Sequence, residues 1–262
     1  MGLTDEERER YSRQIMLPEV GEDGQERLKA ARVLVVGAGG LGSPVLMYLA
    51  AAGVGTLGIA DFDSVDLSNL QRQVIHDTER IGVSKAESAK ETIERLNPET
   101  RIILHKEKMT AATIGDIIKD YDFIVDCVDN FAAKFLINDA CVIYKKPFCH
   151  AGVREFIGQL MTYVPSECAC YRCLFEEMPP EGEYPESSTL GIFGSMPGIF
   201  GSMQALEAQK YIIGAKGLFT GRMLLFDGLK PQMRIINVPK NPACRVCGNE
   251  ADITELDDRN YQ

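Results

Sequence analysis

Six residues, Gly37-Ala38-Gly39-Gly40-Leu41-Gly42, constrain this chain more than any others. They follow the β-branched run Arg-Val-Leu-Val-Val at 32–36 and open into the apolar stretch 41–52. A short continuous apolar run reads as a buried strand, and the longer stretch behind the glycines reads as a buried helix. Glycines let such a turn bend sharply and bring backbone close to a phosphate, whose charge the helix N-terminus attracts. The order strand, GxGxxG, helix therefore predicts the start of a nucleotide-binding βαβ unit.

The pattern continues in the same sense. Strands are expected at 56–61, 102–105, 121–128 and 147–151, alternating with helices at 84–96, 113–119 and 131–144. Asn97-Pro98 stops the first of those helices, because the residue before proline avoids the helical region. Alternation of this kind argues for a parallel sheet. Beyond residue 151, the runs 156–164, 222–226 and 233–238 look like strands without paired helices, and 199–213 like a helix. The near-repeat Gly-Ile-Phe-Gly-Ser-Met at 191–196 and 198–203 is too short for a solenoid unit and suggests glycine-softened helix packing. The expected fold is α/β, Rossmann-like, with a mixed, mainly parallel sheet, an antiparallel C-terminal extension and a structural zinc site. One domain is expected over 1–262: helices in 1–30, a nucleotide-binding half at 31–151, a second half at 152–248, and a flexible tail at 249–262. The acidic, proline-rich stretch 176–189 reads as a mobile loop.

Net charge is -10, and such a surface repels phosphate backbones, which argues against nucleic-acid binding. The N-terminus is charged and lacks the apolar core of a signal peptide, and no apolar run of membrane-spanning length occurs. A cytoplasmic location is expected, and with it a poor case for a disulfide framework.

Asp61 lies at the end of the second expected strand, where an acidic residue holds ribose hydroxyls. NAD is the ordinary reading of GxGxxG followed by an acid. The next segment, Ser68-Asn69-Leu70-Gln71-Arg72-Gln73, and then Lys85, shifts the balance. A hydride-transfer site needs few cations, whereas charge building up on an α-phosphate needs several. Arg72 and Lys85 taken singly are also compatible with a solvated face. Asp129, at the end of a strand, is placed to hold Mg²⁺ between phosphates. Asp129 and Asn130 serve equally well as caps of the helix that follows.

Eight cysteines are present, and four form two CxxC pairs, Cys170/Cys173 and Cys244/Cys247. Four thiolates in that pairing suit tetrahedral zinc, with no open position for catalysis. Cys168 is a further thiol, outside those pairs, near the acidic loop.

Taken in order, RYSRQI at 10–15, GAGGLGS at 37–43, DFDSVDLSNLQRQ at 61–73, Lys85, DCVDN at 126–130 and the two zinc knuckles resemble the bacterial ubiquitin-activating-like enzymes of the ThiF, MoeB and HesA type. The resemblance covers nearly the whole chain. It implies ATP-dependent adenylation, with release of pyrophosphate, of the C-terminal glycine carboxylate of a small ubiquitin-like sulfur-carrier protein, for thiamin- or molybdopterin-type sulfur transfer. It implies that Gly37, Gly39, Gly40, Gly42, Asp61, Asp63, Ser68, Asn69, Arg72, Gln73, Lys85, Asp129 and Asn130 bind ATP, and that Asp129 holds Mg²⁺. It further implies that Arg13 acts with Arg72, Lys85 and Asp129 in catalysis, reaching the site of a neighbouring subunit in a homodimer. On this reading 152–248 is the carrier-binding half, with a crossover loop at about 175–190.

One position departs from the pattern. Relatives often carry a cysteine in the crossover loop where this chain has Ser187. Serine cannot form an acyl-disulfide or thioester. Either the activity ends at the acyl-adenylate, which is the expectation, or sulfur comes through another thiol, with Cys168 a minor candidate for the relay, or the residue is a substitution. The sulfur donor is expected to be a separate protein. The alternatives are an NAD-dependent oxidoreductase, a silent scaffold, and a relative that activates a different carboxylate.

Overall fold

The computed structural model describes residues 2–180, 191–230 and 232–261. The chain begins with α1 (Asp5–Arg10), α2 (Ser12–Ile15) and α3 (Gly21–Ala30). Strand and helix then alternate through β1 (Arg32–Val36), α4 (Gly42–Ala51), β2 (Thr56–Ala60), α5 (Lys85–Leu96) and β3 (Arg101–His105). They continue through α6 (Ile114–Ile118), β4 (Phe123–Asp126), α7 (Phe131–Ile143) and β5 (Phe148–Arg154). The remainder adds β6 (Ile157–Tyr163), α8 (Tyr171–Leu174), α9 (Ser195–Ile213), β7 (Arg222–Asp227) and β8 (Gln232–Asn237).

The strands of the described residues form one eight-stranded sheet in the order β3-β2-β1-β4-β5-β6-β7-β8. β1 to β5 pair in parallel, and β6, β7 and β8 follow antiparallel. The mixed sheet with its antiparallel extension is the one expected. β1 is flanked by β2 on one side and β4 on the other. The chain thus winds outward one way, returns, and winds the other way. Such a reversal leaves a crevice beyond the carboxyl ends of the two central strands, where open α/β sheets take ligands.

Burial explains the apolar run in β1. Val33 and Val35 pack in one cluster with Val45 and Leu49 of α4, Ile93 of α5 and Phe200 of α9. Leu34 and Val36 pack in a second cluster with Ile114 and Ile118 of α6 and Phe135 of α7. A strand covered on both faces has no polar side to show. By contrast, β8 is exposed at every residue.

Three local features depart from the expectations. α9 begins at Ser195, so the first copy of the near-repeat leads into the helix and the second lies inside it. A Cβ on Gly201 would stand 2.3 Å from the Leu41 carbonyl oxygen, so a side chain there would drive α9 off the start of α4. Residues 249–261, expected as a free tail, fold back: Ile253 and Tyr261 are buried, and Tyr261 donates a hydrogen bond to Asp139 Oδ2 at 3.1 Å. An aromatic ring and an apolar side chain cover the face around Tyr171 and Val246, which outweighs the entropy of a short tail. α8 is a single turn, too short to show periodicity. Among the described residues no helix is long and apolar enough to cross a membrane.

Candidate functional site

The glycine turn closes against the end of β4. Gly37 has φ +99°, and a Cβ there would lie 2.8 Å from the Cys127 carbonyl oxygen. A Cβ on Gly42 would lie 1.9 Å from the Gly37 carbonyl oxygen. Both positions therefore require glycine: the first for its left-handed backbone, the second because the turn folds onto itself. At the start of α4 the Ser43 N–H is bonded to the Gly39 carbonyl oxygen at 2.9 Å and Pro44 has none, so the turn itself, at Gly39 to Gly42, carries the N–H groups a phosphate could take.

Asp61 binds the turn directly, accepting from the Ala38 N–H at 2.7 Å and from the Asp63 N–H at 2.9 Å. Burial pushes its carboxyl above the usual range, against the pull of those N–H groups and of Lys85. Lys85 is buried at the start of α5 and pairs with Asp63 at 2.9 Å. Ser68 and Asn69 lie in a 3₁₀ turn capped by Asp66, whose N–H donates to Asn69 Oδ1 at 3.2 Å. That bond turns the Asn69 carbonyl oxygen inward and leaves its amide group as a donor. Arg72 donates to the Ser68 carbonyl oxygen at 3.1 Å, and its Cγ lies 3.4 Å from where a Gly40 Cβ would be.

Gln73 is the residue whose surroundings most directly fit a ligand. It is buried, it lies 3.6 Å from where a Gly39 Cβ would be, and its Oε1 has no hydrogen-bond partner. A buried acceptor without a donor is destabilising by about 1–3 kcal/mol, so one beside a phosphate-type turn calls for a donor from outside the chain. A ribose hydroxyl is such a donor, and the residues fit a nucleotide.

Asp129 is exposed just beyond β4, and its carboxylate has no partner among the described residues. An unengaged oxygen donor at the crevice fits Mg²⁺. Asn130 has a structural task, since its Oδ1 accepts from the Ala133 N–H at 2.9 Å and caps α7. The cap is thus Asn130, and Asp129 is left free.

Arg13 is not brought to this site within the chain. It is exposed on α2, next to Gln14, whose amide donates to the Ala52 carbonyl oxygen at 2.8 Å. Ala52 caps the C-terminus of α4, and a ten-residue helix is about 15 Å long, so α2 sits at the far end of α4 from the glycine turn.

The four zinc-knuckle thiols come together, with Sγ atoms all within 4.8 Å of one another. Cys170 and Cys244 are 3.6 Å apart, Cys173 and Cys247 3.4 Å, and Cys170 and Cys173 3.9 Å. Thiolates at zinc–sulfur distance around a tetrahedron stand about 3.8 Å apart, so the donor set fits zinc. Cys168 is not free to carry sulfur. It is buried, its Sγ accepts from the Val164 N–H at 3.2 Å, and burial raises its thiol. Ser187 and most of the acidic loop at 176–189 lie outside the described residues.

Sequence reasoning missed His76. Its ring is buried under the glycine turn, with Nε2 2.9 Å from the Ala38 carbonyl oxygen and Nδ1 2.9 Å from Ser88 Oγ. A carbonyl only accepts, so Nε2 carries the proton and Nδ1 accepts from the serine. His76 thereby ties the turn to α5, which carries Lys85. One histidine in a mixed segment gives no periodic signal that could have revealed this.

A mainly parallel sheet with a glycine turn, an acid and two cations, Arg72 and Lys85, at its switch point defines a nucleotide-binding α/β protein, here with a four-cysteine cluster that fits a metal. The chain belongs to the ThiF family, whose model matches residues 11–246. It is 44% identical over 263 residues to the sulfur carrier protein adenylyltransferase of Thermus thermophilus, covering 98% of this chain and 97% of that one. It is 42% identical over 257 residues to the adenylyltransferase and sulfurtransferase MOCS3 of Aedes aegypti, spanning 98% of this chain and 59% of that longer protein. In fold it is similar to E. coli MccB, solved with ATP, at TM-score 0.80 and 24% identity over 92% of this chain and 75% of that one.

Proposed function

We propose that this protein uses ATP and Mg²⁺ to adenylate the C-terminal glycine carboxylate of a small ubiquitin-like sulfur-carrier protein. The observation that carries the reading is the gathering of Asp61, Arg72, Gln73 and Lys85 around one glycine turn at the switch point. The Thermus relative, matched over almost its whole length, bears the name of this activity. An NAD-dependent oxidoreductase would leave Arg72, Lys85 and the free carboxylate of Asp129 without a role.

The carrier's carboxylate is ionised at neutral pH and needs no general base. One of its oxygens attacks the α-phosphorus, the bond from that phosphorus to the bridging oxygen breaks, and pyrophosphate leaves with the electron pair. Negative charge grows on the α-phosphoryl oxygens and on the leaving group. Arg72 and Lys85 offset it from one side, and the α4 N-terminus binds phosphate from the other. Asp61 and Gln73 hold the ribose, which fixes the α-phosphorus in line. Asp129 would hold Mg²⁺, which when bound neutralises phosphate oxygens. The four-cysteine centre would be a structural zinc site.

The assembly proposed is a homodimer, with Arg13 of the partner subunit completing each site. Phe62, Leu67 and Val74 beside the nucleotide segment are 60%, 67% and 64% exposed, and Met16 beside Arg13 is 72% exposed, which supports a covered face. Subunit mixing tests it. Arg13→Ala and Asp129→Ala are each inactive alone, but random pairing rebuilds about a quarter of the sites when Arg13 acts across the dimer. No recovery on mixing means that Arg13 does not act in trans.

ATP–pyrophosphate exchange is expected only with a carrier ending in Gly-Gly, and its absence with every such carrier of the host overturns the adenylation reading. With Ser187 in the crossover loop, the reaction ends at the acyl-adenylate and a separate protein donates sulfur to a thiamin- or molybdopterin-type pathway. Ser187→Ala is accordingly expected to keep the exchange rate within about twofold, since a serine supplies no thiol for any step after adenylation. A larger loss in that assay assigns the hydroxyl a part in adenylation.

A further inference from the structure

Behind Asp129 lies a buried charged cluster that the chemistry above does not use. Asp126, the last residue of β4, is 1% exposed, and its carboxylate has three partners. Oδ1 accepts from the Val128 N–H at 3.1 Å. Lys134 Nζ, on the first turn of α7, reaches the two oxygens at 3.4 and 3.3 Å. His150 Nδ1, on β5, donates to Oδ2 at 2.8 Å. Lys134 also donates to the Ala151 carbonyl oxygen at 2.8 Å, and the Gln159 amide faces His150 Nε2 at 3.4 Å.

The charges are internally consistent. Burial, with the positive charge of Lys134 alongside, lowers the His150 pKa to about 4, so the ring is neutral. Burial opposes ionisation of Asp126, but Lys134 and the His150 hydrogen bond outweigh it and hold the carboxyl below its usual range. The cluster is therefore one carboxylate, one ammonium and one neutral imidazole, a balanced set with no net charge.

Burying such a set is rarely the best route to stability, because well-packed apolar residues of the same volume do as well or better. What apolar residues cannot supply is direction. Here the direction is toward the four-residue connection that carries Asp129. Asp126 grips the Val128 N–H, the Cys127 N–H is bonded to Val36 of β1 at 2.9 Å, and Asn130 caps the helix on which Lys134 sits. The Cys127 carbonyl is also the wall against which Gly37 turns. A shift of this connection would move Asp129 and the glycine turn together.

We infer that Asp126, Lys134 and His150 are positioning residues, a clamp that holds the 127–130 connection so that Asp129 meets the metal and the glycine turn keeps its shape. The inference rests on the adenylation reading for its kinetic consequence, but the clamp itself can be measured without it.

The test compares Lys134→Met, which removes the charge at similar length, with Lys134→Arg, which keeps it. In the protein without nucleotide or Mg²⁺, amide exchange over 127–133, taken relative to β2, is expected to rise about tenfold in Lys134→Met and to return near the parent rate in Lys134→Arg. In ATP–pyrophosphate exchange, kcat is expected to fall about 30-fold and the half-saturating Mg²⁺ concentration to rise about fivefold, with KM for the carrier within about twofold, because a small misplacement near the reacting atoms is felt in kcat. Should Lys134→Met be isolated unfolded, His150→Gln carries the same measurements. Unchanged local exchange with unchanged Mg²⁺ dependence, even with a lowered Tm, overturns the clamp, as does an arginine variant no better than the methionine one. A parent protein inactive with every carrier removes the adenylation reading instead, and the amide-exchange comparison still decides the clamp.

Discussion

Asp129→Ala is expected to lower the ATP–pyrophosphate exchange rate by about 10³-fold or more while leaving Tm within about 2 °C, since surface substitutions away from packing change stability little. Both halves of that expectation come from the same observation. The carboxylate is exposed and unpartnered among the described residues, so the fold does not depend on it. It also lies at the carboxyl end of β4, beside the glycine turn, where the phosphates of a bound nucleotide would meet the strand ends. On the proposed mechanism, removing this carboxylate would leave Mg²⁺ without a protein ligand at the moment when charge on the phosphates grows. Retention of more than about a tenth of the rate would assign Mg²⁺ to other groups.

The second large effect falls on stability. Cys244→Ser is expected to strip the metal and to lower Tm by roughly 10–15 °C in a chain of this size. The two knuckles are separated by about 70 residues, so their joining closes a long loop. By the entropy of an equivalent crosslink, that closure contributes about 4 kcal/mol. The loss would spread inward, because the first knuckle is bonded to α7. Tyr171 N–H donates to Asn138 Oδ1 at 2.8 Å, and Arg172 makes a buried, forked pair with Asp139 at 2.8 and 2.9 Å. Tyr171 also lies against the His150 ring, with centroids 4.6 Å apart. Thermal unfolding followed against zinc content checks it. A metal-free protein with the parent Tm would show that the thiols only lie close together.

The two effects separate parts of the molecule that were legible to different degrees. Local chemistry showed in the sequence. The glycine turn, its strand and its helix lie within 20 consecutive residues, and the rules that read them are local: period, glycine and helix terminus. The CxxC pairs declare their chemistry by spacing, and the parallel sheet with its antiparallel end follows from alternation that stops near residue 151. These were determined by the sequence alone.

What only the tertiary structure decided are contacts between residues far apart in the chain. That Asn130 is the cap and Asp129 is free depends on the angle at which α7 leaves β4. That Arg13 lies at the far end of α4 depends on how α2 packs, and it leaves this motif residue away from the glycine turn of its own chain. The return of 249–261 rests on Tyr261 meeting Asp139, 122 residues earlier. The same holds for His76 beneath the glycine turn, and for Asp126, Lys134 and His150, which meet only because β4 and β5 are neighbours in the sheet and α7 packs against β4. The physical reason is common to all of them. A buried polar group is stable only with its partner in place, and the partner is chosen by packing, which no local pattern of residues records.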